Sequence, residues 1–274
     1  MELGSTTYDV TTRALVMGVL NRTTDSFFAP AATFGLDALL ARADDLVADG
    51  ADLLDVGGVR AGPGDDVGED EELDRVVPAV EALCARFALP VSIDTWRASV
   101  ARDCFAAGAV LGNDISGFAD PDYLATAAAA GAAVVATHIR LRPRVADPDP
   151  IYDDVVATVN EFVLDRAHRA EMAGIPRERV LVDAGLDLGK TPAQSLALLQ
   201  HSDELASLGY VALLSASNKR FLGARLDLAV DDRGDASLAA AALGITLGCR
   251  VLRVHDVRGT VRVRDALASV LEAA

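Results

Sequence analysis

Short apolar runs alternate with amphipathic stretches along the chain. The runs cover residues 14–21 (ALVMGVLN), 51–58 (ADLLDVGG), 90–95 (PVSIDT) and 110–116 (VLGNDIS). They continue at 133–139 (AVVATHI), 179–185 (RVLVDAG), 211–217 (VALLSAS) and 251–256 (VLRVHD). Near-continuous hydrophobicity over so few residues predicts strands buried on both faces of a parallel sheet. Between them, 36–50, 71–87 and 151–174 repeat apolar residues at helical spacing. Helix candidates close on Gly50, Gly108, Gly131, Gly174, Gly209 and Gly248, as C-terminal caps do. Eight such strand–helix units predict an α/β fold, a single (β/α)8 TIM barrel, with an open doubly wound sheet as the rival. Residues 1–12 read as a polar lead-in and 13–274 as the barrel, with no linker or second domain.

Polar residues gather where these runs end: Asn21, Asp55, Asp94, Asn113–Asp114, His138, Asp183, Ser217 and Arg253–His255–Asp256. In a barrel those ends open on one face, where active sites are built. A single polar strand end is a helix cap. Eight together point to a ligand, because each buried group without a partner costs about 1–3 kcal/mol.

Composition narrows the class. The chain has 274 residues, 51% of them hydrophobic, enough for one large core and incompatible with disorder. Asp and Glu number 41 against 25 Lys and Arg, a net charge of −16. That field argues against nucleic acids and anionic membranes as partners, leaving room for a local basic pocket. No run reaches the roughly 20 apolar residues of a membrane helix, and no basic-then-apolar leader opens the chain. Cys84, Cys104 and Cys249 stand apart in apolar contexts, as buried thiols of a reducing cytoplasm do. The expectation is a cytoplasmic protein. GLDLGKT (185–191) lacks the frame of a phosphate loop, so Lys190 is expected to act at a helix N-terminus or to close a loop, and His138, His168 and His201 show no metal-ligand spacing.

The segments MGVLNRTTDSF (17–27), DVGGVRAGPG (55–64), SIDTWRASVA (92–101), GNDISG (112–117), DAGLDLGKT (183–191), SASNK (215–219) and RVHDV (253–257) occur in the order and spacing of one family. The chain resembles the dihydropteroate synthases, and in particular the divergent second-copy paralogues of actinobacteria. That family displaces pyrophosphate from 6-hydroxymethyl-7,8-dihydropterin pyrophosphate with the amine of p-aminobenzoate. The resemblance implies a pterin pocket made by Asp94, Asn113, Asp183 and Lys219, with Asp55 and Ser217 in support. Carboxylates accept from the pterin's amino and ring N–H groups, while amide and ammonium donate to its acceptors. Arg253 and His255 match the pair that holds the diphosphate. Asn21 matches the asparagine that helps bind a Mg2+–pyrophosphate unit, a role suited to an ion that needs few protein ligands. Asn21, Lys219, Arg253 and His255 are thus the expected catalytic set. The family's homodimer is expected through the C-terminal helices, where residues 237–248 are rich in alanine.

The chain departs from the family on the amine side. Arg22 and Thr24 replace the family's Val and Pro, and Val59-Arg60-Ala61-Gly62 replaces Glu-Ser-Thr-Arg. Asn218 and Arg220 alter the segment normally read S-R-K-S. Arg22 or Arg60 could return positive charge to the first two loops, and Arg220 could bind a carboxylate further out. The expected activity is transfer of a heteroarylmethyl group from its pyrophosphate to an amine, with the ordinary p-aminobenzoate reaction weak or altered. The alternatives are a non-catalytic pterin or folate binder, and a methyltetrahydrofolate-binding module lacking its corrinoid domain.

Overall fold

Each apolar run becomes a strand in the computed structural model, which describes residues 1–22 and 35–273. A hairpin of β1 (Glu2–Leu3) and β2 (Thr6–Thr7) comes first. Then follow β3 (Leu15–Asn21), β4 (Leu53–Gly57), β5 (Val91–Asp94), β6 (Leu111–Asp114), β7 (Ala133–Thr137), β8 (Val180–Asp183), β9 (Val211–Leu214) and β10 (Val251–Val254). Among the described residues these eight pair in parallel, each with its sequence neighbour. β10 returns to β3 through Val251↔Leu15 and Arg253↔Met17, closing a (β/α)8 barrel.

The helices are α1 (Leu36–Ala48), α2 (Glu69–Arg86), α3 (Ala98–Ala106), α4 (Tyr123–Ala130), α5 (Val155–Met172), α6 (Pro192–Gln200), α7 (Ser202–Ala206), α8 (Arg220–Ala224), α9 (Gly234–Thr246) and α10 (Val257–Glu272). Local chemistry sets their ends. Asp154 caps α5 by accepting from Val156 and Ala157, and Thr191 with Gln194 forms a reciprocal capping box ahead of Pro192 in α6. The six glycines expected to end helices all adopt positive φ, from 63° at Gly131 to 114° at Gly108.

The strands contain a switch that their hydrophobicity hides. Side chains alternate across a strand, so every second residue shares a face. Leu15, Met17, Leu53, Leu111, Ala133, Val135, Leu181, Leu213 and Val251 pack together inside the barrel. Continuing on that face toward the C-terminal ends come Asp55, Asn113, Thr137, Asp183 and Arg253, all polar. The other face carries Val16, Leu54, Val56, Ile93, Val134, Val182 and Leu252, buried against the helices with Leu39, Val80, Val163 and Ile245. Burial of each such side chain is worth roughly 1.5–3 kcal/mol, so the outward face holds the helices while the inward face is free to turn polar.

The first twelve residues are more than a polar lead-in. Leu3 is buried in the same cluster as Leu15, Leu53 and Val251, with Met1, Tyr8 and Val10 against it. Arg179 ties the hairpin down through Glu2 at 3.2 Å and the Gly4 carbonyl at 3.3 Å. The hairpin thereby seals the N-terminal end of the barrel, opposite the polar rim. Among the described residues no helix is long and apolar enough to cross a membrane. The three cysteines are unpaired, with Cys104 and Cys249 buried.

Candidate active site

One guanidinium organises the barrel mouth. Arg253, on β10, donates from Nε to Asp55 at 2.6 Å and from Nη2 to Asp94 at 2.7 Å. Asn113 Nδ2 donates to the same Asp55 carboxylate at 3.3 Å. Four strands thus send polar side chains to one point on the barrel axis. The second oxygen of Asp94, Oδ1, is buried and has no hydrogen-bond partner among the described residues. Burial pushes the Asp94 carboxyl up to about 7; Arg253 opposes the rise and the nearby Asp55 adds to it. Burial also disfavours the Arg253 charge, yet the two carboxylates more than offset it and raise the guanidinium above its usual range. Two anions share one cation, and the uncompensated share falls on Asp94.

Asp183, at the end of β8, accepts the Gly185 N–H at 2.8 Å. Burial raises its pKa against the pull of Lys219 and Lys190. Lys219 lies half-buried just before α8, with Nζ on the Leu186 carbonyl at 2.6 Å, and burial lowers its pKa. His255 follows β10, and its Nδ1 lies 3.0 Å from Ser217 Oγ. Burial and the cations Arg253, Arg42 and Lys219 push His255 down to about 4, so its imidazole is neutral near pH 7. Asn21 ends β3 and pairs with Gly57, which pairs in turn with Asp94. A Cβ on Gly57 would stand 3.5 Å from both Asn21 Oδ1 and the Asp94 Cβ, so the glycine lets these two side chains flank its strand end. Among the described residues no cluster of three or more His, Cys, Asp or Glu could hold a metal by itself.

Other polar strand ends do different work. Asp114 lies on the opposite face from Asn113, and its carboxylate accepts from Ser116 N at 2.6 Å and Phe118 N at 3.0 Å. It caps the loop. Asp256 likewise accepts from Gly259 at the start of α10. His138 meets Lys190, whose buried Nζ lies 2.7 Å from His138 Nδ1 and donates to the carbonyls of Gly185 at 2.8 Å and Leu188 at 3.1 Å. Burial, with Lys190 beside it, pushes His138 down to about 3, so the ring accepts from the ammonium. Lys190 closes this loop, as its setting in GLDLGKT suggests.

A loop that departs from the family pattern is held by a residue that no motif marked. A cavity of about 700 Å³ lies beside the mouth, lined by Arg60, Ala61, Gly62, Leu188, Lys190 and Arg220 among others. Its wall is held by Arg144, which donates to the carbonyls of Gly62 at 2.8 Å, Arg60 at 3.2 Å and Asp65. The Arg144 N–H also bonds the Ala61 carbonyl at 3.0 Å. Asp187, at φ 66°, anchors α8 by accepting the Arg220 N–H at 2.7 Å. Arg22 turns toward α2, donating to the carbonyls of Arg75 at 2.5 Å and Asp74 at 3.4 Å. Pro78 inside α2 lacks the N–H that would otherwise bond Asp74, which leaves that carbonyl for Arg22. Thr24 lies outside the described residues.

The same barrel recurs in known proteins. Residues 17–255 match the family model for pterin binding enzymes. The inactive dihydropteroate synthase 2 of Mycobacterium leprae (strain TN) is 44% identical over 264 residues, covering 94% of this chain and 91% of that protein. The dihydropteroate synthase of Bacillus subtilis (strain 168) is 35% identical over 261 residues, covering 94% and 89%. The solved Yersinia pestis dihydropteroate synthase in a sulfonamide drug complex has a TM-score of 0.95 at 36% identity, covering 100% of this chain and 99% of that one. With the family model matched over most of its length and relatives of 35–44% identity covered nearly end to end, the chain belongs to the dihydropteroate synthase family.

Proposed function

We propose that the protein binds a 6-hydroxymethyl-dihydropterin pyrophosphate, or a similar heteroarylmethyl pyrophosphate, and transfers the heteroarylmethyl group to an amine. The observation that carries this reading is the partnerless Asp94 Oδ1, buried beside Asp55, Asn113 and Arg253. A buried acceptor of this kind wants a donor, and a pterin edge supplies amino and ring N–H donors. Asp183 adds a second carboxylate and Lys219 a donor for the ring acceptors. Arg253 and His255 face the diphosphate, and Ser217 and Asp55 support them. Loss of pyrophosphate breaks the C–O bond and leaves a resonance-stabilised pterin-methyl cation, whose carbon then bonds the amine nitrogen as the amine sheds a proton. Mg2+ would supply charge neutralisation on the pyrophosphate. Asn21 Oδ1, at the rim beside Asp94, is the oxygen that fits such an ion, which the diphosphate itself would mostly ligate.

The amine is not assigned to p-aminobenzoate. Ala61 and Gly62 offer no side-chain donor, Arg22 donates to α2, and Arg220 brings a guanidinium to the cavity wall. These same features support a second reading, a pterin binder without turnover, as does the name of the M. leprae relative. Calorimetric titration with 6-hydroxymethyl-dihydropterin pyrophosphate, with and without Mg2+, followed by mass analysis after adding p-aminobenzoate, separates the readings. Product establishes transfer, tight binding without product establishes the binder, and no binding overturns both. A homodimer in the cytoplasm completes the proposal. Leu243 on α9 and Val270 on α10 are exposed apolar residues on the C-terminal helices, and light scattering checks the oligomer.

A further inference from the structure

The hydroxyl of Ser217 touches His255 twice. It accepts the His255 backbone N–H at 3.2 Å and lies 3.0 Å from the imidazole Nδ1. Among the described residues the Ser217 hydroxyl has no other hydrogen-bond partner. A serine hydroxyl carries one proton, and the backbone N–H already takes one of its lone pairs. The acceptor left for that proton is Nδ1 of His255. We infer that Ser217 is a positioning residue: it donates to Nδ1, fixes the neutral Nε2–H form of His255, and so presents a diphosphate oxygen with a donor.

The alternative tautomer would put the proton on Nδ1 and a lone pair on Nε2, which repels an anion. With Arg253, Arg42 and Lys219 nearby, the ring has little reason to take a second proton, so its tautomer decides whether it attracts or repels a phosphate. The serine is itself held from outside the site. Asn218, at φ 59°, donates its N–H to Ser237 Oγ at 3.0 Å, and Arg233 of the turn before α9 donates to the Asn218 carbonyl at 3.0 Å. Helix α9 thus fixes the loop that fixes the ring. Ser217, expected from the sequence to support the pocket, would do so through His255.

The inference rests on the diphosphate role of His255, and its test separates the two. The chain has four histidines, so 15N-histidine NMR resolves each ring, with His255→Gln giving the assignment. In the wild type, Nδ1 of His255 is expected as an unprotonated acceptor and Nε2 as protonated. Calorimetry with inorganic pyrophosphate should show Ser217→Ala binding about 3–10-fold more weakly, the loss of one hydrogen bond's worth of order. Ser217→Thr should restore both the spectrum and the affinity. A protonated Nδ1 in the wild type, or a Ser217→Ala protein with unchanged spectrum and affinity, overturns the inference. Absence of pyrophosphate binding in the wild type overturns the diphosphate role, while the spectrum still decides the tautomer. Should Ser217→Ala fail to fold, the wild-type and Ser217→Thr spectra decide it alone.

Discussion

Arg253 holds Asp94 by one oxygen at 2.7 Å and leaves the other buried, without a partner among the described residues. Asp55 takes the Nε of the same guanidinium at 2.6 Å, so one cation serves two carboxylates. An unmatched buried acceptor costs about 1–3 kcal/mol, so a ligand that brings a ring N–H or amino donor to this atom would gain affinity there.

Asp183→Asn should weaken pterin binding by about 10–100-fold, the loss of a charge-assisted hydrogen bond. The amide keeps the shape and turns one acceptor oxygen into a donor aimed at donors. Asp74→Asn, on the exposed face of α2, is the control and should change nothing. Calorimetry with 6-hydroxymethyl-dihydropterin reads both. Wild-type affinity in the Asp183 variant would remove this carboxylate from the pocket.

Asp94 gives a pH signature. Its carboxyl titrates near 7 in the folded protein, because of burial, and near 3.9 in an unfolded chain. Between those values the folded state binds more protons than the unfolded one, so this group's contribution to stability falls as pH rises. Asp94→Asn removes that contribution. The unfolding free energy of the variant relative to wild type should therefore climb from pH 4 to pH 7 and level off above it. Denaturation at closely spaced pH values measures the difference, and parallel curves would place the proton elsewhere.

Gly185→Ala should destabilise by roughly 3 kcal/mol. The residue sits at φ 63°, and an added Cβ would land on the His138 carbonyl oxygen, beside the Lys190 ammonium that clasps this loop. Gly174 also has positive φ, 97°, but its Cβ would meet nothing within 4 Å. Gly174→Ala should cost about 1 kcal/mol. Equal losses in urea denaturation would mean that the clasp contributes nothing beyond backbone strain.

Much of this was legible before any coordinates. Strand order, helix-ending glycines and the convergence of Asp94, Asn113, Asp183 and Arg253 follow from runs, turns and motif register. What the runs concealed was parity. Asn113 and Asp114 are adjacent letters of equal polarity, yet one faces the axis and the other caps the loop outside, and only strand pairing separates them. Leu3 looked like a stray apolar residue in a polar lead-in until the barrel gave it an interior to seal. Arg144 was invisible for another reason. It holds loop 60–65 by backbone carbonyls, and carbonyls leave no trace in residue identity. Arg22 also shows partners that charge does not reveal, since it donates to the carbonyls of Arg75 and of Asp74, the latter left open by a proline more than fifty positions away.

Condensation with p-aminobenzoate should be slow or undetectable, and the gene should fail to replace a dihydropteroate synthase in a folate auxotroph. Where the family has Thr-Arg the chain has Ala61-Gly62, and removing one preorganised donor from a developing anion typically costs about 10²–10³ in rate. Arg144 does not replace them, since both its Nη groups are taken up by three loop carbonyls. Sulfonamides should bind poorly for the same reason. The loop has space for repair: a Cβ at Gly62 meets only Arg60 Nη2, at 3.6 Å. Ala61→Thr with Gly62→Arg should therefore fold and raise any residual rate. Arg220 still lines the cavity from the start of α8, its N–H fixed to Asp187 at 2.7 Å. If it displaces the carboxylate subsite, the double change gains little alone and a larger rise appears when Arg220→Ser is added. Steady-state assays on the wild type, double and triple variants order these contributions. Robust complementation by the unmodified gene would refute the prediction and show that Arg60 or Arg220 performs the lost role.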